Sequence, residues 1–250
     1  MVFMALDEFT IKAALEDLLD DKTERRSQKE VLHILRLIKK YGKGKKLVNV
    51  LDVPCGLGRH DQWLRKLGFK VKGIDIDPDF IRAAKERYPK SKASYRIGNM
   101  SRLPYKNCSF DIVLCLYSSF NIPVDRENRK VLVEFRRVLR EGGLLVMDLQ
   151  SKSGLEVIEG MESRTALSDG MTKLIKVKIR GNYRVDDEVL LDSKNRIIAK
   201  IKDKERLYTP QELKDLVTRS GFSVLSITKA YSISRLRPSD KQMLIAAAKM

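Results

Sequence analysis

The residues best placed to do chemistry lie in Leu51-Asp52-Val53-Pro54-Cys55-Gly56-Leu57-Gly58-Arg59-His60. A short apolar run, Leu47–Val53, carries Asp52 and then enters a glycine turn that opens a helix. Gly56 and Gly58 lack a Cβ, so the backbone there can pass close to a ligand. The first amides of the following helix are unpaired and can bind a polar or anionic group. A second acid ends the next apolar run, in Gly73-Ile74-Asp75-Ile76-Asp77. A carboxylate at Asp75 can accept both hydroxyls of a ribose lying across the strand ends. Asp77, followed by Pro78, suits the cap of the next helix.

Two nucleotide classes compete for such a turn. A dinucleotide fold wants G-x-G-x-x-G, but Arg59, His60 and Asp61 follow Gly58, so the third glycine is absent. That disfavours an NAD enzyme. A phosphate-binding loop wants G-K-[ST], which is also missing. Asp52, just ahead of the glycines, repels phosphate and suits a cationic ligand. Only two histidines occur, His33 and His60, so no metal site is expected. Cys55, Cys108 and Cys115 are odd in number and lack C-x-x-C spacing. That usage implies a reducing, cytoplasmic setting.

These residues need a scaffold of alternating strands and helices, and the chain supplies one. Residues 1–46 read as helix, with Leu15, Leu18 and Leu19, then Val31, Leu32, Leu35 and Ile38, at helical spacing. Strands follow at Leu47–Val53, Lys70–Ile76, Ser94–Ile97, Phe110–Tyr117 and Leu144–Leu149. Helices lie between them at His60–Leu67, Pro78–Tyr88 and Asn128–Arg140, the last stopped by Gly142-Gly143. This alternation predicts an α/β fold with a parallel sheet covered on both faces. The pattern changes after Gln150: residues 151–205 read as an antiparallel insertion, with a hairpin signal at Gly181-Asn182. Residues 206–250 return to helix, from Thr209-Pro210 to Arg219, and two final strands, Ser223–Ala230 and Met243–Lys249.

Composition narrows the classes. With 250 residues, 43% hydrophobic and 33% charged, the chain reads as one globular domain with a sizeable insertion. No apolar run reaches the ~18 residues of a spanning helix, and the N-terminus lacks a signal-peptide pattern. The net charge of +17 attracts polyanions, but the excess is spread along the chain without a basic tail. Abundant Lys, Arg and Glu with few Asn and Gln also give a thermophile-like composition.

Leu51–Gly58 followed by Gly73–Asp75 resembles motifs I and II of the class I S-adenosylmethionine (SAM) dependent methyltransferases. The resemblance continues through Arg96–Met100 with Leu103-Pro104, Phe110–Leu116, Leu139–Leu144, and Arg206–Leu213 with Ser220-Gly221-Phe222. It covers roughly residues 26–250. It implies a Rossmann-like methyltransferase fold: a mostly parallel seven-stranded sheet, helices on both faces, and an inserted antiparallel β subdomain. The branch with such an insertion holds many N-methyltransferases of small amines, amino acids or amino sugars. Two positions depart from the family pattern: Pro54 replaces the first glycine of motif I, and Asn99 replaces the usual acid before Met100.

The resemblance implies SAM as cofactor and S-adenosylhomocysteine (SAH) as product. It places Asp52, Pro54 and the Cys55–Gly58 turn, with Gly56, at the methionine part. Asp75 takes the ribose, Ile76, Asn99 and Met100 the adenine, and Leu116 and Tyr117 the sulfonium. Asn99 is expected to accept from the adenine amino group. Arg25 and Arg26 are candidates for the cofactor carboxylate. On the acceptor side the candidates are Tyr117, Ser118, Ser119, Asn121, Arg206 and Tyr208, with Arg206 free to clamp a carboxylate or phosphate. Cys55 and His60 are read as packing residues. The expected function is methyl transfer to a nitrogen or oxygen of a small-molecule acceptor by in-line displacement. RNA or protein as acceptor, or SAM binding without transfer, are the alternatives. The protein is expected to be a monomer or homodimer, with the insertion as lid or dimer contact.

Overall fold

The computed structural model describes residues 21–42, 44, 47–167, 170–232 and 234–250. The leucines at 15, 18 and 19 lie outside them. The first described element is α1, Asp21–Tyr41. Val31, Ile34 and Leu37 recur every three residues and are buried, which fixes the face it presents to the sheet. The helix stops at Gly42, whose amide still bonds to the Ile38 carbonyl.

The core then alternates as the sequence predicts: β1 (Asn49–Asp52), α2 (Arg59–Lys66), β2 (Lys70–Asp75), α3 (Pro78–Arg87), β3 (Tyr95–Ile97), β4 (Phe110–Cys115), α4 (Asp125–Val138) and β5 (Leu139–Gln150). A short α5 (Lys152–Glu156) leads to β6 (Glu162–Ala166), β7 (Thr172–Arg180), β8 (Tyr183–Leu191) and β9 (Ile197–Arg206). α6 (Pro210–Arg219), β10 (Phe222–Lys229) and β11 (Gln242–Lys249) close the chain. The main sheet has seven strands in the order β10-β11-β5-β4-β1-β2-β3. All neighbours are parallel except β11, which runs against both β5 and β10. The expected mostly parallel seven-stranded sheet is therefore present, and the insertion forms a separate antiparallel sheet, β6-β7-β8-β9.

Strand alternation splits the core in two. Val50, Ile112, Leu114 and Val146 face α1 and α2. Leu51, Val113, Leu145 and Met147 face α4 and α6, whose Val131, Phe135, Leu213 and Val217 are fully buried. Each such side chain contributes about 1.5–3 kcal/mol on burial. β1 lies between β2 and β4, so the chain reverses its winding there and opens a crevice at the carboxyl ends of these strands. Both motif acids, Asp52 and Asp75, end strands at that crevice.

The structure corrects the sequence at two places. α4 stops at Val138, and Gly142-Gly143 lies inside β5. Leu139 pairs with Phe110 and Leu144 with Ile112, so the intervening residues form an irregularity in the ladder. Gly143 is required there because a Cβ would lie 2.8 Å from the Arg140 carbonyl. Strand β6 is a fourth insertion strand with no apolar alternation; it is exposed throughout. Gly181, at φ 60, turns β7 into β8 as the hairpin signal requires. Val177 and Ile179 of β7 pack with Leu155 and Leu207 beneath the insertion. Among the described residues, no helix is long and apolar enough to cross a membrane.

Candidate functional site

A cavity of about 370 Å3 opens at the carboxyl ends of β1, β2 and β4. Its lining brings together Pro54, Cys55, Gly56, Asp75, Ile76, Asn99, Met100, Leu116, Tyr117 and Ser119 from the sequence-derived set. It adds Arg59, His60 and Phe80.

The turn between β1 and α2 is held from below. Gly56 and Gly58 have φ of 50 and 69, the left-handed region. Around Gly56 a Cβ would meet nothing within 4 Å, whereas at Gly58 it would lie 2.3 Å from the Tyr95 hydroxyl. Tyr95 cannot yield: its ring is buried and its hydroxyl accepts from Arg65 at 2.8 Å. Gly58→Ala therefore adds left-handed strain to a clash, together about 2–5 kcal/mol. The expected outcome is a fall in Tm of roughly 5–15 °C, read by thermal unfolding; an unchanged Tm contradicts this packing.

Asp75 is 5% exposed at the end of β2. One carboxylate oxygen accepts from the Gly56 amide at 2.8 Å and the other from the Asp77 amide at 3.0 Å. Burial raises its pKa; the backbone hydrogen bonds oppose that shift. Each oxygen keeps acceptor capacity for one more donor, which fits a vicinal diol. Ile76, Phe80 and Met100 line an apolar slot beside it. Asn99 is committed differently from the expectation. Its side-chain oxygen already accepts from the Ser101 amide and hydroxyl, both at 2.8 Å. What it offers the cavity is its amide N–H, a donor.

Asp52 does not reach the cavity lining. It is buried beneath the turn, opposite Asp61 of α2. Burial, then the charge of Asp61, pushes its carboxyl well up, because two buried carboxylates cannot both ionise. That shift opposes the charge that the sequence reading gave Asp52. Cys55 is buried too, and burial pushes its thiol up, consistent with a packing residue.

At the other end of the cavity, the chain after β4 passes through two left-handed non-glycine residues, Tyr117 (φ 64) and Ser118 (φ 58). Such backbone costs about 1–3 kcal/mol per residue and persists where the surroundings hold it. Here the Ser118 amide donates to Asp148 of β5 at 3.3 Å, and burial raises that carboxyl to about 6. The ring of Tyr117, 52% exposed, lies under the guanidinium groups of Arg26 at 5.4 Å and Arg59 at 5.0 Å. The Ser119 hydroxyl donates to the Leu116 carbonyl at 2.9 Å.

Glu30 of α1 joins the two halves. Its oxygens accept from Arg26 Nε (2.7 Å), Arg59 Nη1 (2.6 Å) and His60 Nε2 (2.8 Å). Burial alone would raise its pKa, but these partners outweigh it and hold the carboxyl at about 2. Burial lowers His60 to about 4, so the ring is neutral at pH 7 and donates from Nε2. Glu30 and Ser27 sit on the buried face of α1 together with Val31 and Ile34. Polar residues on an apolar helical stripe were the sequence signal for this cluster.

The acceptor candidates divide. Tyr117 and Ser119 line the cavity; Ser118 is buried just behind it. Asn121, Arg206 and Tyr208 are not brought into the lining. Asn121 is buried with both side-chain amide atoms unpartnered among the described residues, and its backbone carbonyl accepts from the Arg206 backbone amide at 3.0 Å. Arg206 is not a free clamp. Its guanidinium is buried and engaged by Asp125 at 3.0 Å, Glu212 at 3.3 Å and the Leu207 carbonyl. The Tyr208 hydroxyl bonds to Asp125 and Asn128 within the core. Arg25 is exposed, and Arg26 donates through Nε to Glu30 while its guanidinium lies over Tyr117.

Residues 51–147, which hold both acids, the glycine turn and the strand leading to Tyr117, match a family described as methyltransferase domain. Over this stretch the chain is similar to a methyltransferase domain, and the fold around it is that of the class I methyltransferases. The methyltransferase GfsG of Streptomyces halstedii is 34% identical over 122 residues, 44% of this chain and 43% of that protein. The chain spans about half the length of the relatives it matches. Among solved structures, a SAM-dependent methyltransferase from Clostridium acetobutylicum superposes with TM-score 0.75 at 16% identity, covering 95% of this chain and 97% of that one. SAM-bound CalS10, an amino pentose methyltransferase from Micromonospora echinaspora, gives TM-score 0.70 at 19% identity, covering 95% of each chain. The matched stretch thus supplies the crevice together with the loop after β4, while α1 packs on it through Glu30.

Proposed function

We propose that this chain transfers a methyl group from SAM to a nitrogen or oxygen of a small-molecule acceptor. The observation that carries the reading is one cavity joining a buried ribose-type acceptor, Asp75, to a rim of exposed Tyr117 and half-buried Ser119 through a glycine turn. When bound, the cofactor supplies a methyl carbon activated by its sulfonium. Asp75 would accept the ribose hydroxyls. Ile76, Phe80 and Met100 would hold the adenine in the apolar slot, with the Asn99 amide donating at its edge. Leu116 and Tyr117 would form the floor and wall at the reacting end.

The rim would seat the acceptor in line and exclude water. Alignment of this kind supplies about 7–11 kcal/mol of a displacement barrier.

Calorimetric titration with SAH, with NAD as control, tests the cofactor half. Micromolar or tighter binding of SAH alone is expected, and release of SAH from SAM on adding small amines should follow. Binding of NAD in place of SAH overturns the reading. SAH binding with turnover only on RNA or protein replaces the acceptor class. SAH binding without turnover on any acceptor leaves a binding protein.

A further inference from the structure

We infer that Arg59 is the seat of a ligand carboxylate in this cavity, and that α1 builds the seat. The inference rests on the proposed cofactor reading and assigns the far end of that ligand. Arg59 is the first residue of α2, directly after the glycine turn, and lines the cavity. Its side chain is 9% exposed. One arm of the guanidinium, Nη1, donates to Glu30 at 2.6 Å and to the Ser27 hydroxyl at 2.9 Å, both on α1. The other arm, Nη2, is buried and has no hydrogen-bond partner among the described residues. A buried N–H of a charged group left unpaired is costly, and such a group is kept where a ligand completes it.

The surroundings do not supply that partner. Asp148 and Tyr231 feel the charge of Arg59, yet the second oxygen of Asp148 and the hydroxyl of Tyr231 are themselves unpartnered. His60 is neutral and already bonded to Glu30. Among the described residues, the only carboxylate paired with Arg59 is Glu30, which also serves Arg26. A guanidinium stacked on an aromatic ring, with one arm anchored and one free, presents a fixed donor to an anion.

Asp75 and Arg59 then bracket the cavity with opposite chemistry: an acceptor for a sugar diol and a donor for a carboxylate. A nucleoside carrying an amino-acid tail satisfies both. The seat exists only while α1 is docked, because Ser27 and Glu30 hold the guanidinium.

Calorimetry with two probes tests this. SAH carries the amino-acid tail; 5′-methylthioadenosine keeps the adenine, ribose and sulfur but lacks it. Arg59→Gln should weaken SAH by about ten-fold or more, the loss expected for one charge-assisted bond, and leave methylthioadenosine within about two-fold. Arg59→Lys, which keeps the charge, should recover part of the SAH affinity. Equal weakening of both probes would mean that Arg59 only supports the fold, and unchanged SAH binding would mean that the carboxylate sits elsewhere; either overturns the assignment. A parent protein that binds neither probe sinks the cofactor reading, and this assignment with it.

Discussion

Asp75→Ala is expected to weaken SAH and methylthioadenosine alike, by at least ten-fold. Both probes carry the ribose, so a ribose acceptor cannot distinguish them. Hydrogen bonds to a charged acceptor contribute about 1.5–3 kcal/mol each, and two hydroxyls would lose theirs. Asp75 also holds the turn, accepting from Gly56 and Asp77, so part of the loss comes from a loosened backbone. Asp75→Asn separates the two effects. It keeps one oxygen for the Gly56 amide but exchanges an acceptor for a donor, so it should bind better than alanine and worse than the parent. Burial raises the pKa of Asp75, and that sets a direction for pH. Its charged form is the better acceptor, so affinity should fall as the solution is acidified toward the raised pKa, and the alanine variant should lose that dependence. Calorimetry across pH reads all of this. Binding to Asp75→Ala as tight as to the parent would remove the ribose from the end of β2.

The half of the site around Asp75 was legible because it is local. Strand, glycine turn, helix and second strand lie within one short stretch, and each signal refers to its neighbours. Asp52 shows the limit of that reading. The sequence places it correctly at the end of β1, but its charge depends on Asp61, which a helical turn brings underneath. Arg206 failed for a related reason. It stands beside Glu205 in sequence, yet its partners are Asp125 and Glu212, one of them at the start of α4. Whether an arginine is free to meet a ligand is a property of tertiary contacts, and no local pattern reports it. The same holds for Arg59, which looks like a mere departure from the glycine pattern until α1 is seen above it. Gly142-Gly143 misled in another way: a glycine pair stops helices, but here it serves a close backbone approach inside a strand.

Glu30→Ala should be the most damaging single change outside the sheet. It removes the common acceptor of Arg26, Arg59 and His60 and leaves the Arg59 guanidinium buried without its counter-charge. Breaking a buried pair from one side costs about 3–5 kcal/mol. In a chain of this size that lowers Tm by roughly 6–20 °C. The sign with pH follows from the two shifted groups. Glu30 is held at about 2, below its ordinary value of 4.5, so its stabilisation is complete above 4.5 and is lost as pH falls toward 2. His60 is held at about 4, below 6.5, because the folded protein keeps it neutral; its contribution is complete above 6.5 and is lost between 6.5 and 4. Both act in the same direction, so acid should weaken the junction of α1 and α2 in two stages. The parent should therefore melt at falling temperature from pH 6.5 downward, and its advantage over Glu30→Ala should be full at pH 7, shrink below pH 4.5 and be smallest near pH 2. Glu30→Gln distinguishes charge from shape: it keeps an acceptor oxygen and should sit between the two at pH 7. Since Ser27 and Glu30 also hold Arg59, the alanine variant should bind SAH more weakly while methylthioadenosine, which needs no carboxylate seat, is spared at temperatures where the protein remains folded. A Tm gap that is constant across this pH range would show that Glu30 stabilises the helix by packing alone, and that the buried ion cluster does not tie α1 to the glycine turn.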